Sequence, residues 1–135
     1  MQEALSWGKG ALLYLTETER VKIMKIIVCG GRDYEDYETL TRVLDGVHQR
    51  NTVTMLIEGG AKGADAHAAT WADNNGIPRV TCNANWKYHG KKAGPVRNKV
   101  MLSLNPDGVV AFPGGIGTAG MIELAKAAGV KVLIA

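Results

Sequence analysis

The chain has 135 residues, 46% of them hydrophobic, and a formal net charge of +3 at pH 7. That length holds one domain with a true core but not two. The mild basic excess permits a nucleotide or nucleic-acid partner without the heavy positive charge of a dedicated polyanion binder.

Residues 1–23 do not share the pattern that follows and read as an N-terminal extension, either disordered or forming a helix over residues 11–20. The apolar residues 11–15 have Glu3 upstream, no basic start and no cleavage site, so they do not form a signal peptide. No apolar run reaches the length of a membrane span. From Met24 the punctuation becomes regular, and residues 24–135 read as the domain proper.

The β-branched run at residues 25–29 ends at Gly30-Gly31, and Tyr37, Leu40, Val43, Leu44 and Val47 then recur at helical spacing. A second strand over residues 53–57 ends at Glu58-Gly59-Gly60. An alanine-rich helix over residues 64–75 is closed by Gly76 and Pro78. The third strand starts at Arg79 and runs to Cys82, residues 86–94 read as a long polar loop, and Val96, Val100, Met101 and Leu104 mark a helix. The fourth strand, residues 108–111, leads into Phe112-Pro113-Gly114-Gly115-Ile116-Gly117-Thr118, a helix containing Ile122, Leu124, Ala125 and Ala128, and a last strand over residues 130–134.

Alternating strands and helices with apolar strands predict an α/β, Rossmann-like three-layer domain around a five-stranded parallel sheet. The expected strand order is 3-2-1-4-5, which places a ligand crevice at the carboxyl ends of the first and fourth strands. Cys29 and Cys82 stand far apart in apolar runs, which suits reduced thiols in a cytoplasmic protein. No zinc-type spacing joins Cys29, Cys82, His48, His67 and His89, so neither a metal nor a cofactor is expected.

Three loops converge on that crevice. The glycines of residues 113–118 and the helix start behind them suit a phosphate seat, or else a strand-to-helix turn that needs glycine for its dihedrals. In Gly30-Gly31-Arg32-Asp33 the third glycine of a dinucleotide fingerprint is missing. Arg32 there suits a phosphate clamp, and Asp33 either a ribose contact or a helix cap. Glu58-Gly59-Gly60-Ala61-Lys62-Gly63-Ala64-Asp65 offers two carboxylates for ligand contact or for a nearby cation. His67 reads as a proton carrier or a plain helix residue. Lys87, Lys91, Lys92, Arg97 and Lys99 are interleaved with Trp86, Tyr88 and His89, so phosphate could sit on the cations and a base on a ring, or the loop could simply be solvated. Arg97 is expected to open its helix and face the pocket, with Lys91 and Lys92 in solvent.

Together these motifs, with Ala93-Gly94-Pro95-Val96-Arg97-Asn98, resemble the SLOG superfamily, and within it the YspA/cpYpsA-related branch of small proteins, often from phages or prophages. The superfamily also holds the LOG phosphoribohydrolases and DprA. The resemblance runs from Met24 to the end and implies a Rossmann-like fold, often dimeric, with the Pro-Gly-Gly-x-Gly-Thr loop on a nucleotide phosphate. LOG-type cleavage of a nucleoside monophosphate uses an arginine, which Arg97 matches, and a glutamate at the position of Met121. The nearest glutamate, Glu123, is rotated roughly 200° further around the helix at about 3.6 residues per turn. The resemblance therefore implies binding of a nucleotide or nucleotide derivative by a sensor or sequestering protein. Phosphate would sit on Pro113, Gly114, Gly115, Gly117 and Thr118, with Arg32 and Arg97 as counter-charges and Glu58 or Asp65 on ribose. Gly30, Gly31, Asp33, Gly59, Gly60 and Asn98 would complete the site. LOG-like hydrolysis, with Glu58, Asp65 and Arg97 as catalytic candidates, is the alternative, and DprA-like single-stranded DNA binding the third.

Overall fold

The structure, a computed structural model, describes residues 2–6, 12–16 and 22–135. Five parallel strands form one sheet: β3 (Lys25–Cys29), β4 (Met55–Glu58), β5 (Arg79–Thr81), β6 (Gly108–Ala111) and β7 (Lys131–Ile134), in the spatial order β5-β4-β3-β6-β7. In chain order this is the expected 3-2-1-4-5. The helices are α1 (Tyr37–Arg50), α2 (Ala64–Asn74), α3 (Trp86–His89), α4 (Ala93–Leu102) and α5 (Ile116–Ala127).

Alternation along the central strand builds the three layers, because successive side chains of a strand point to opposite faces. Ile26 and Val28 join Leu40, Leu44, Ala68 and Trp71 in one core between the sheet and α1 and α2. Ile27 and Cys29 join Met101, Met121 and Ala125 in a second core under α4 and α5. Trp71 is buried without an orphaned donor, since its indole Nε1–H donates to Asp45 Oδ1 at 2.8 Å.

Several boundaries differ from the sequence reading. Helix α1 is capped by Asp36, whose Oδ1 accepts the Thr39 N–H at 3.0 Å, and not by Asp33. Asp33 sits instead in a tight turn closed by the Tyr34 N–H on the Gly31 carbonyl at 3.2 Å. Residues 86–94 are not a plain loop: α3 and a 3-10 turn, Gly90–Lys92, lead directly into α4. Asn85 caps α3 through the Tyr88 N–H at 3.0 Å, and Pro95 is tolerated in the first turn of α4, where a proline removes no helical hydrogen bond.

In the N-terminal extension the helix expected over residues 11–20 is replaced, where it is described, by strand. Here β1 (Gln2–Ser6) and β2 (Leu12–Thr16) pair antiparallel with Gln2 opposite Thr16. Tyr14 and Thr16 favour strand, and pairing with the neighbouring segment of the same hairpin outweighs the helical spacing of the apolar residues. The remainder of that expected helix lies outside the described residues.

Gly63, at the start of α2, has φ 72° and ψ −125°, a region open to glycine, and a side chain there would run into the carbonyl oxygens of Gly31 and Arg32. Gly63→Ala is expected to lower stability by at least about 2 kcal/mol in urea unfolding. A loss under about 0.5 kcal/mol, the range of an ordinary surface change, would show that this junction is not held as described.

Candidate functional site

The carboxyl ends of β3 and β6 are stitched together. The Phe112 N–H donates to the Cys29 carbonyl and the Gly31 N–H to the Pro113 carbonyl, both at 2.8 Å. The Gly31 carbonyl in turn accepts the Ala64 N–H, at the start of α2, at 3.1 Å. These bonds fix the three loops around the point where the strand order reverses, the expected position for a ligand in an open parallel sheet.

A cavity of about 660 Å³ opens there. On its glycine side α5 begins at Ile116 and its first internal bond runs from the Ala119 N–H to the Gly115 carbonyl, leaving the N–H groups of residues 116–118 without an intrahelical acceptor. The positive end of the helix dipole lies at the same place. Arg32, Asp65, Arg97 and Asn98 line it as well, and Met101, Ile116 and Leu124 give the cavity apolar surface.

Arg97 lies in α4 beyond its first turn rather than opening the helix, because α4 starts at Ala93. It faces the cavity as expected. Its Nη1 donates to the Gly59 carbonyl at 2.7 Å and its Nε to Asn98 Oδ1 at 3.0 Å, and Asn98 Nδ2 donates to the Gly117 carbonyl at 3.3 Å. A continuous polar chain thus crosses from the β4–α2 loop to the first turn of α5. Gly59 is needed for this, since a Cβ there would collide with the Arg97 guanidinium and lie 2.9 Å from Asp65 Oδ2.

Two carboxylates are buried nearby. Asp65, 6% exposed, accepts the Ala61 N–H at Oδ2 at 3.2 Å, and no ion pair within 4.0 Å joins it to Arg97 among the described residues. Burial pushes its pKa up to about 6, outweighing the Ala61 N–H and the Arg97 charge. Glu58, 2% exposed, accepts the Gly60 N–H at Oε2 at 3.2 Å and leaves Oε1 without a partner among the described residues. Cys29 also lines the cavity, its thiol pushed up to about 12, chiefly by burial and then by the Asp65 charge; it is therefore protonated and unreactive at neutral pH.

Of the residues selected from sequence, Gly30, Gly31, Arg32, Asp65, Arg97, Asn98, Gly115, Gly117 and Thr118 line the cavity. Asp33, Glu58, Gly59, Gly60, Pro113 and Gly114 do not; they shape the loops behind it. His67 is away from the cavity, its ring edge-on to Tyr37 at 5.5 Å. Lys91, expected in solvent, is exposed but stands at the rim. The sequence reading missed the apolar side, although Ile116, Gly120 and Leu124 follow one another at a spacing of four, the stripe of a single helix face.

Residues 24–89 match the YspA, cpYpsA-related SLOG family. The Gene 61 protein of Mycobacterium phage D29 is 32% identical over 117 residues, covering 81% of this chain and 94% of that protein. Among solved structures, DNA processing protein A (DprA) from Streptococcus pneumoniae superposes with a TM-score of 0.68 at 20% identity, over 84% of this chain and 50% of that one. The chain thus spans about half the length of DprA, and the likeness is one of fold. No helix among the described residues is long and apolar enough to cross a membrane.

Because the pKa of Asp65 rises from 3.8 to about 6 on folding, the folded state holds the proton more tightly than the unfolded chain. Stability should then fall as the pH rises from about 4 to 6 and level off above, a total on the order of 3 kcal/mol. Asp65→Asn removes that slope, so its stability relative to the parent should improve over the same range in urea titrations. Parallel profiles for the two proteins would refute the buried, ionising carboxylate.

Proposed function

The chain belongs to the YspA, cpYpsA-related SLOG family, and from that premise we propose that it binds a nucleotide or nucleotide-derived ligand as a sensor or sequestering protein. The observation that carries this reading is the meeting of the open first turn of α5, residues 116–118, with Arg32 and Arg97 around one cavity at the switch point of the sheet. Backbone N–H groups and a helix dipole suit a phosphate, and two guanidinium groups supply its counter-charge. Asp65 then faces the sugar as a hydrogen-bond acceptor, and Thr118, 9% exposed, offers its hydroxyl to the phosphate.

Holding is favoured over cutting. Met121, at the position of the LOG glutamate, is fully buried in the core beneath α5, and Glu123 is exposed and lines no part of the cavity. For hydrolysis the remaining groups are Asp65, on the cavity wall, and Glu58, behind it.

Calorimetric titration with AMP, ADP-ribose, NAD and cyclic nucleotides tests the proposal. At least one should bind with a Kd below millimolar and return intact by mass spectrometry after overnight incubation. Thr118→Val and Arg97→Ala should each weaken it about tenfold or more, the loss of one charge-assisted hydrogen bond. Free base in the recovered ligand would turn the reading to hydrolysis. Preference for single-stranded oligonucleotides with a steep salt dependence would turn it to nucleic acid. No binding below millimolar would overturn it.

A further inference from the structure

The rim of the cavity holds a cation that no described residue anchors firmly. Arg32 is exposed, and its guanidinium lies over the Trp86 ring at 5.5 Å from the centroid; among the described residues it makes no hydrogen bond or ion pair. At an exposed position such a contact is weak, whereas a guanidinium gains far more from two parallel bonds to a phosphate. The backbone of Arg32 is already beside the phosphate seat, because the preceding Gly31 N–H is bonded to the Pro113 carbonyl at 2.8 Å. A side-chain swing is then enough to carry the charge from ring to anion.

The ring it would leave is built as a platform. Trp86 is 48% exposed, lines the cavity, and is backed by α4, where a Cβ on Gly94 would lie 3.4 Å from its six-membered ring. Asn85 fixes its position by capping α3 through the Tyr88 N–H. One face of a large π-system therefore turns to the cavity and, among the described residues, carries only a displaceable cation.

We propose that Trp86 is the base platform of the nucleotide site and Arg32 its removable cover, so that the ligand class is a purine nucleotide whose phosphate draws Arg32 away and whose base takes the vacated ring face. This rests on the phosphate reading above and adds the half of the ligand that reading leaves open. One side chain then couples the two ends of the ligand: phosphate binding prepares the stacking surface, and a nucleoside lacking phosphate must displace Arg32 with nothing in return. Stacking follows the area of the π-face, so purines hold better than pyrimidines.

The probes are ribose 5-phosphate, AMP, CMP and adenosine, titrated into the whole chain. AMP should bind about tenfold or more tighter than ribose 5-phosphate, CMP should fall between, and adenosine should be weakest. Trp86→Ala should lower AMP affinity about tenfold, the range found when a stacked aromatic is removed, and leave ribose 5-phosphate within about twofold. Trp86→Phe should restore most of the AMP affinity, which a merely structural role for the indole would not require. Ribose 5-phosphate should also change the tryptophan emission of the parent but not that of Trp86→Phe, reporting the departure of Arg32. Equal affinity of the parent for AMP and ribose 5-phosphate, or an equal loss of both in Trp86→Ala, overturns the platform while leaving the phosphate seat standing. Failure of ribose 5-phosphate and AMP alike to bind the parent overturns both.

Discussion

The peptide groups around Gly31 hold this domain's working end together. The N–H is committed to the loop after β6 and the C=O to the first N–H of α2, so a single residue ties two neighbouring strands and a helix. Buried backbone groups without partners are costly, and each of these bonds also satisfies a group that the turn would otherwise leave unpaired. The crevice follows from this tie, since the first turn of α5 and the loop before α2 are both positioned by it. Gly63 extends the same constraint, because only a residue without a Cβ lets α2 start so close to the Gly31 carbonyl.

Charge in the cavity is arranged around backbone rather than around ion pairs. Arg97 donates to a carbonyl and to an amide, not to the neighbouring Asp65. A guanidinium held this way keeps its full positive charge, and its remaining N–H groups are available for an incoming anion. The carboxyl group is buried, and because burial outweighs the nearby Arg97 charge it keeps its proton to a higher pH than a surface aspartate. The two side chains stay chemically distinct although both border Gly59.

Most of the fold was legible because its strands are short apolar runs bounded by glycine, and because the unbroken apolar run Ile26, Ile27, Val28 and Cys29 announces a strand covered on both faces. The boundaries that went astray have local causes. Gly94-Pro95 looks like a helix breaker but lies inside the first turn of α4, and α5 begins among glycines that read as loop. At the site, glycine and charge were readable, whereas the apolar wall was not: Met101 and Leu124 carry the same signal as core residues until the sheet shows which way each helix face turns. The contact of Arg32 with Trp86 joins segments far apart in sequence and leaves no mark in either one.

Asp65 gives this arrangement a chemical asymmetry. The proton that it accepts on acidification relieves the cost of a buried negative charge and, by the same act, removes that carboxylate's pull on the Arg97 charge. Stabilisation of the fold and a more positive cavity wall are therefore two consequences of one protonation.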